Sequence, residues 1–201
     1  MARIDLAVLA KAPVPGLAKT RLIPSIGAHA AAVLQARLTE RTIGTAVESD
    51  IGPVTLWCAP DCAHASFRSL QTQFGIALQP QPAGDLGARM LAAMQTGRTL
   101  VLGTDCPAFT PAHLQDAARI LAEHDAVLIL AEDGGYVLIG TNAPQPGLFE
   151  GVDWGTAQVG GQTRARAKAL GLRLYELPPL WDIDSEGDLA RMEREFPELR
   201  L

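Results

Sequence analysis

The sequence predicts an α/β fold, a sheet whose strands alternate with helices. Three observations predict it. Short apolar runs, most of them rich in β-branched residues, recur seven times along the chain. Helix-length patterns with their own start signals fill many of the gaps between them, which indicates a sheet with helical crossovers rather than separate α and β units. The charged and glycine-rich clusters fall just beyond the ends of several runs, where ligands settle in an open α/β sheet.

The elements follow in order. Residues 4–10 are apolar apart from Asp5 and stop at Lys11, a first strand. Residues 28–48 are Ala-rich, with Val33, Leu34, Leu38 and Ile43 close to a helical stripe and Gly44 weakening only the last turn. Strands are expected at 54–59 and 76–79, then a helix over 85–96 after the turn at Pro82-Ala-Gly84. A strand at 99–103 leads to Thr110, a good N-cap, with Pro111 at the first position of a helix over 111–124. Strands 126–130 and 136–140 are joined through Asp133-Gly134-Gly135, a tight-turn sequence. A weaker helix at 164–170, a strand at 172–177 and a helix over 185–195 complete the chain. Ser185 opens that last helix with Asp188 three residues on, an imperfect capping box. No internal repeat or low-complexity linker interrupts the pattern.

Composition narrows the functional classes. A chain of 201 residues suits one domain, 1–201, with a sizeable core. Apolar residues make up 48% and charged ones 19%, the balance of a globular protein. Lys and Arg total 17 against 22 Asp and Glu, a net charge of −5, which argues against nucleic acid and for a small-molecule partner. No apolar run approaches the roughly 20 residues of a membrane span. Asp5 and Lys11 cut the first run too short for a secretion signal, so Cys58, Cys62 and Cys106 read as reduced thiols and the chain as cytoplasmic. Cys58 and Cys62 have no nearby pair to complete a zinc site.

Lys11 to Leu22 places three cations on a loop stiffened by Pro13 and Pro15. It is not a Walker A loop, because Ala18 stands where that motif needs Gly before the Lys. Gly16 allows close approach, and Lys11, Lys19 and Arg21 supply charge-assisted donors for phosphate oxygens. Asp105 follows an apolar strand and precedes Pro107, so a short loop presents it. Asp182 and Asp184 share a face if their segment is extended, with Ile183 on the other. Such repulsion is offset when a divalent cation, Mg²⁺ or Mn²⁺, sits among carboxylates and phosphates. Asp188 is expected only to favour its helix N-terminus. Asp133 is a candidate for holding an acceptor or acting as general base, and Gly134 and Gly135 could admit a ligand to the backbone. Trp154 lies on a long Gly-rich stretch, 144–162, able to hold an acceptor or act as a lid. His29, His64, His113 and His124 stand singly, and no Ser-His-Asp arrangement is present.

Taken together, Lys11-Ala-Pro-Val-Pro-Gly16 with Lys19-Thr-Arg-Leu22, Asp85-Leu-Gly-Ala-Arg-Met90, Gly103-Thr-Asp-Cys-Pro107, Glu132-Asp-Gly-Gly-Tyr136, and Asp182-Ile-Asp184 with Asp188-Leu189 form a pattern covering nearly the whole chain. It resembles a bacterial family of transferases in the glycosyltransferase-A superfamily, related to sugar-phosphate nucleotidyltransferases. The resemblance implies a Rossmann-like three-layer α/β/α fold with a mostly parallel mixed sheet, of the nucleotide-diphospho-sugar transferase type. It further implies a nucleotide or nucleotide-sugar across the strand ends, a small-molecule acceptor, and Mg²⁺ or Mn²⁺ on the phosphates. Asp105 would be one metal ligand and Asp182 or Asp184 the second, with Lys11, Lys19 and Arg21 on phosphates. Asp85 to Arg89 resembles the segment near the nucleoside in related enzymes, although Asp85 also reads as a helix start. The related nucleotidyltransferases carry glycines where prolines stand in this first loop. Glycosyl transfer is the first reading, nucleotidyl transfer with release of pyrophosphate the second, and a nucleotide-binding module without turnover the third.

Overall fold

The first strand shows how the layers arise. In the computed structural model, which describes residues 3–95 and 97–201, β1 (Asp5–Lys11) alternates its side chains between two cores. Leu6, Val8 and Ala10 enter one, with Ile43, Phe67 and Leu114; Ala7 enters the other, with Met90 and Ala167. The period-two geometry of a strand thus requires helices on both faces. Helices α1 (Ile23–Glu48), α2 (Ala65–Phe74) and α4 (Pro111–Ile120) cover one face, and α3 (Leu86–Ala93) and α5 (Val159–Ala169) the other. A third cluster joins Leu34 and Leu38 of α1 to Ile183 and to Met192 of α6 (Glu186–Glu195).

The strands β2 (Val54–Ala59), β3 (Ala77–Pro80), β4 (Thr99–Leu102), β5 (Ala126–Leu130), β6 (Tyr136–Thr141) and β7 (Leu174–Glu176) complete one seven-stranded sheet, ordered β3-β2-β1-β4-β6-β5-β7. All neighbours pair in parallel except those of β6, which runs antiparallel to β4 and β5. The architecture is the expected mixed α/β sandwich.

Several boundaries differ from the sequence-based expectation. Lys11 is the last residue of β1 rather than the first of a loop. Helix α1 starts earlier, but it breaks at Gly27 (φ 80, ψ 160), so regular helix begins where the Ala-rich stretch begins. Helix α2 was not expected: only Phe67 and Leu70 bury from it, and its N-cap is His64, whose ring accepts from the Ser66 amide. Helix α3 stops at Ala93, and Thr96, the expected end, lies outside the described residues. Helix α4 ends at Ile120, four residues early. Helix α5 begins five residues early, through Gly160-Gly161, because a close approach overrides glycine's poor propensity. A Cβ on Gly160 would stand 2.8 Å from a Leu130 methyl. All three cysteines are free, and no helix among the described residues is long and apolar enough to cross a membrane.

Candidate functional site

After β1 the chain builds β2 and β3 to one side and then places β4 on the other, so the carboxyl ends of β1 and β4 border a crevice at a reversal of strand order. A cavity of about 580 Å³ opens there, and Lys11, Lys19, Arg21, Arg89, Asp105 and Asp184 all line it. A slightly larger one, about 610 Å³, sits at the opposite edge around Ile4, Gly52 and Arg98. The second holds none of the clustered carboxylates, and ligands of open parallel sheets gather at the carboxyl ends, so the first is the functional candidate.

The cationic wall is built by the turn after β1. Leu17 and Ala18 amides both donate to the Val14 carbonyl, at 3.0 and 3.1 Å, and Gly16 takes a left-handed conformation (φ 87). Gly16 shapes this turn in open space and does not itself line the cavity. Ala18 and Leu22 are fully buried on either side of Lys19, which is itself left-handed (φ 47, ψ 45). They draw its side chain inward to 5% exposure, where Nζ donates to Asp105 Oδ1 at 2.7 Å and to the Ile183 carbonyl at 2.5 Å. Arg21 pairs with Asp184. Lys11 is exposed and forms no ion pair among the described residues.

The acidic wall depends on the chain beyond β7. Leu177 and Leu180 amides donate to the carbonyls of Leu128 and Leu130 at 2.9 and 3.0 Å, and Glu132's amide donates to Leu180's carbonyl at 3.0 Å. The following residues cross to β4, where the Ile183 amide donates to the Asp105 carbonyl at 2.8 Å. Burial, then the charges of Asp133 and Asp105, push the Asp182 carboxyl up to about 6; Lys19 opposes this and Asp184 adds to it. Burial pushes the neighbouring Cys106 thiol up to about 12, which makes it a packing group rather than a nucleophile.

Of the two aspartates expected to share a face, Asp184 pairs with Arg21, while Asp182 lies in the field of Asp133, Asp105 and Asp184. Among the described residues no three His, Cys, Asp or Glu side chains are gathered closely enough to hold a metal by themselves. Mg²⁺, however, is commonly held by one or two carboxylates plus substrate phosphates. The carboxylates near enough to be considered for that are Asp105 and Asp184, which line the cavity, and Asp182, which does not line it but feels the charges of Asp133 and Asp105.

This crowding makes a prediction. Asp182 prefers its proton in the folded state, so its contribution to stability is full near pH 4 and is lost as pH rises through about 6. Asp182→Asn is expected to stabilise the metal-free protein at pH 8 by on the order of 1 kcal/mol, discounted for partial exposure. That corresponds to roughly 2–4 °C in Tm. Thermal melts at pH 8 and pH 4.5 check it: a gain of equal size at both pH values would refute the electrostatic origin.

The remaining candidates have local partners. Asp85 caps α3, accepting from the Ala88 amide at 2.8 Å, and does not line the cavity. Asp133 accepts from the Gly135 amide at 2.8 Å, while Gly134 (φ 92) lies so close to Ala157 that a Cβ would stand 2.7 Å from its carbonyl oxygen. Gly134 thus serves packing between the turn and the 154–160 stretch. Trp154 meets Tyr136 edge-on at 5.8 Å and crowds Gly87, and its buried indole N–H has no hydrogen-bond partner among the described residues.

Three polar cavity residues are given no role by the sequence, although Tyr136 closes the Glu132-Asp-Gly-Gly-Tyr136 motif. Gln35, 5% exposed, donates to Thr104 Oγ1 at 3.0 Å; its signal was a polar residue inside the stripe of Leu34 and Leu38. Gln81 donates to the carbonyls of Ala10 and Trp57, at 3.1 and 2.8 Å, and its oxygen faces Arg89. Tyr136 bonds the Thr163 hydroxyl, and burial pushes its own hydroxyl up to about 12, so it stays neutral. The signal for Gln81 exists only in three dimensions.

Comparison with known proteins agrees with this architecture. A crystal structure from Desulfovibrio desulfuricans G20, provisionally assigned as a nucleotide-diphospho-sugar transferase, is 27% identical, with a TM-score of 0.86 over 100% of this chain and 91% of that one. A nucleotidyl transferase from Methanothermobacter thermautotroptrophicus shares the fold at 14% identity and a TM-score of 0.65, over 98% and 99% of the two chains. The Mycobacterium tuberculosis H37Rv protein Rv0371c, in complex with manganese, is 15% identical with a TM-score of 0.53, over 96% and 99%. No curated protein matches the chain. The family model described as "Uncharacterized protein conserved in bacteria (DUF2064)" matches residues 42–156. The chain therefore belongs to that bacterial family, and its fold is that of the nucleotide-diphospho-sugar transferases.

Proposed function

We propose that this chain is a metal-dependent transferase that uses a nucleotide-activated donor, a glycosyltransferase acting with a nucleotide-diphospho-sugar. The observation that carries it is the cavity at the strand reversal, with Lys11, Lys19, Arg21 and Arg89 among its cations and Asp105 and Asp184 facing them. A diphosphate needs that combination of donors and a bridging dication. The whole chain, residues 1–201, is taken as the working unit, since its seven strands form one sheet.

Lys11, Arg21 and Arg89 are the groups to bind and orient the phosphates. Asp105 and Asp182 would hold Mg²⁺ or Mn²⁺, which when bound supplies charge neutralisation on the departing diphosphate. The manganese of the M. tuberculosis structure supports that choice. Asp133, whose carboxylate accepts from the Gly135 amide, would take the proton of an acceptor hydroxyl. The acceptor is proposed to lie by the turn at Gly134-Gly135 and Trp154, whose neighbours Tyr136 and Gly155 line the cavity. A second reading, nucleotidyl transfer from a nucleoside triphosphate, is favoured by the number of cations: four on one cavity suit three phosphates as well as two.

Identifying the phosphorus-containing product separates the two: a nucleoside diphosphate marks glycosyl transfer, pyrophosphate marks nucleotidyl transfer. Binding is checked more simply. A nucleotide at ~100 times its Kd with Mn²⁺ adds about 2.7 kcal/mol. The expected rise in Tm is roughly 5 to 10 °C. If no nucleotide or nucleotide-sugar shifts the melt with metal present, this reading is wrong.

A further inference from the structure

Lys19 occupies a position that an ordinary phosphate-binding lysine does not need. Its side chain is 5% exposed, and its ammonium bridges Asp105 Oδ1 at 2.7 Å and the Ile183 carbonyl at 2.5 Å. Those partners come from the β4 end and from the 180–184 segment, the two pieces of chain that carry Asp105 and Asp182, proposed above to hold a dication. The placement is built into the backbone. Lys19 is one of two non-glycine residues with positive φ among the described residues, and Ala18 and Leu22 anchor it on both sides at 0% exposure. A left-handed lysine costs free energy that neighbouring packing must offset.

We propose that the Lys19 ammonium is an internal stand-in for the dication: it neutralises the acidic wall while the metal is away, and must leave Asp105 when the metal arrives. The inference rests on the nucleotide-and-metal reading of the same cavity. The geometry favours the exchange. Mg²⁺ binds carboxylate oxygen at about 2.0–2.1 Å, so a dication on Asp105 Oδ1 would lie within roughly 5 Å of the ammonium as placed. Two cations at that distance repel strongly in a partly dry site. Lys19 lines the cavity, so the place open to the displaced ammonium is the ligand's phosphate chain. Metal without phosphate must then expel Lys19 with no new partner, whereas metal with phosphate gives the lysine one. Metal and phosphate binding are consequently coupled through a single side chain, and by linkage each strengthens the other.

Mn²⁺ binding, followed by electron paramagnetic resonance of the free ion, tests this with and without inorganic pyrophosphate as the phosphate probe. In the unaltered protein pyrophosphate should tighten Mn²⁺ binding by about tenfold or more. Lys19→Met keeps an unbranched, flexible side chain one atom shorter and removes its charge. This variant should bind Mn²⁺ alone about tenfold more tightly than the unaltered protein, and pyrophosphate should then add little. Unchanged or weaker Mn²⁺ affinity in Lys19→Met would overturn the proposal. A second measurement needs no variant: lysines in the unaltered protein are methylated reductively and read by mass spectrometry. Lys19 should be protected without metal and become several-fold more reactive with Mg²⁺ alone, with exposed Lys11 as the unchanged control. Equal protection with and without Mg²⁺ would also overturn it. Failure of the underlying reading looks different: no nucleotide or nucleotide-sugar would then raise Tm in the unaltered protein with metal present.

Discussion

Asp105→Asn is expected to lower the rate of product formation by about a thousandfold while leaving the fold intact. Asp105 is where both walls of the cavity meet: its carboxylate accepts from Lys19 Nζ at 2.7 Å, and its backbone carbonyl accepts from the Ile183 amide at 2.8 Å. Asparagine has the same shape and keeps an acceptor for Lys19, so the arrangement of the 180–184 segment should persist. What disappears is the negative charge that would hold a dication against the phosphates. Preorganised charge at the reacting centre commonly contributes factors of about 10² to 10³ per group, and a shared metal ligand belongs at the upper end. Turnover with Mn²⁺, measured beside a thermal melt, checks this. Activity within tenfold of the unaltered protein, at a normal Tm, would remove Asp105 from the site.

The second large effect concerns stability and lies far from the cavity. At Gly52, just before β2, a Cβ would stand 1.9 Å from the Ile4 carbonyl oxygen and 3.1 Å from its nitrogen. These are backbone atoms that Leu6 and its neighbours hold in register, since Ile4 and Leu6 amides donate to the carbonyls of Ile51 and Pro53 at 3.3 and 2.9 Å. No side chain can rotate to make room. Gly52→Ala must therefore shift the start of β1, the strand that pairs with both β2 and β4. Overpacking of this kind costs about 3 kcal/mol or more when the backbone must give. Tm should fall by roughly 6–12 °C. A change under 2 °C would show that the strand adjusts freely.

The legibility of the site in the sequence follows the range of the interactions. Asp105, Lys11 and the turn at Asp133-Gly134-Gly135 could be placed at strand ends because an apolar run and a turn residue are local signals. The helix N-cap at Ser185 with Asp188 was equally local, and Asp188 does accept from the Ser185 and Asp184 amides, at 2.7 and 3.1 Å. Asp85 had two local readings, and its contact with the Ala88 amide realises the helix-start one. Helix α2 was missed for a related reason: two buried residues in ten leave a faint stripe, and histidine is an unusual N-cap.

The sequence by itself determined the α/β class, the strand ends on which charge is displayed, and the opposition of a cationic loop to scattered aspartates. Each of these is written in residues a few positions apart, where periodicity and turn chemistry act. Only the tertiary structure decided which charges meet. Asp182 joins Asp105 and Asp133 because the chain after β7 hydrogen-bonds alongside β5 and then to β4, and Asp184 is drawn instead to Arg21, 163 residues away. Among the three cations of residues 11–21, burial of Ala18 and Leu22 turns Lys19 inward, while Lys11 at the end of β1 stays exposed. Spacing along the chain cannot carry that distinction, because it depends on long-range backbone pairing and on the packing that decides which side chain leaves water.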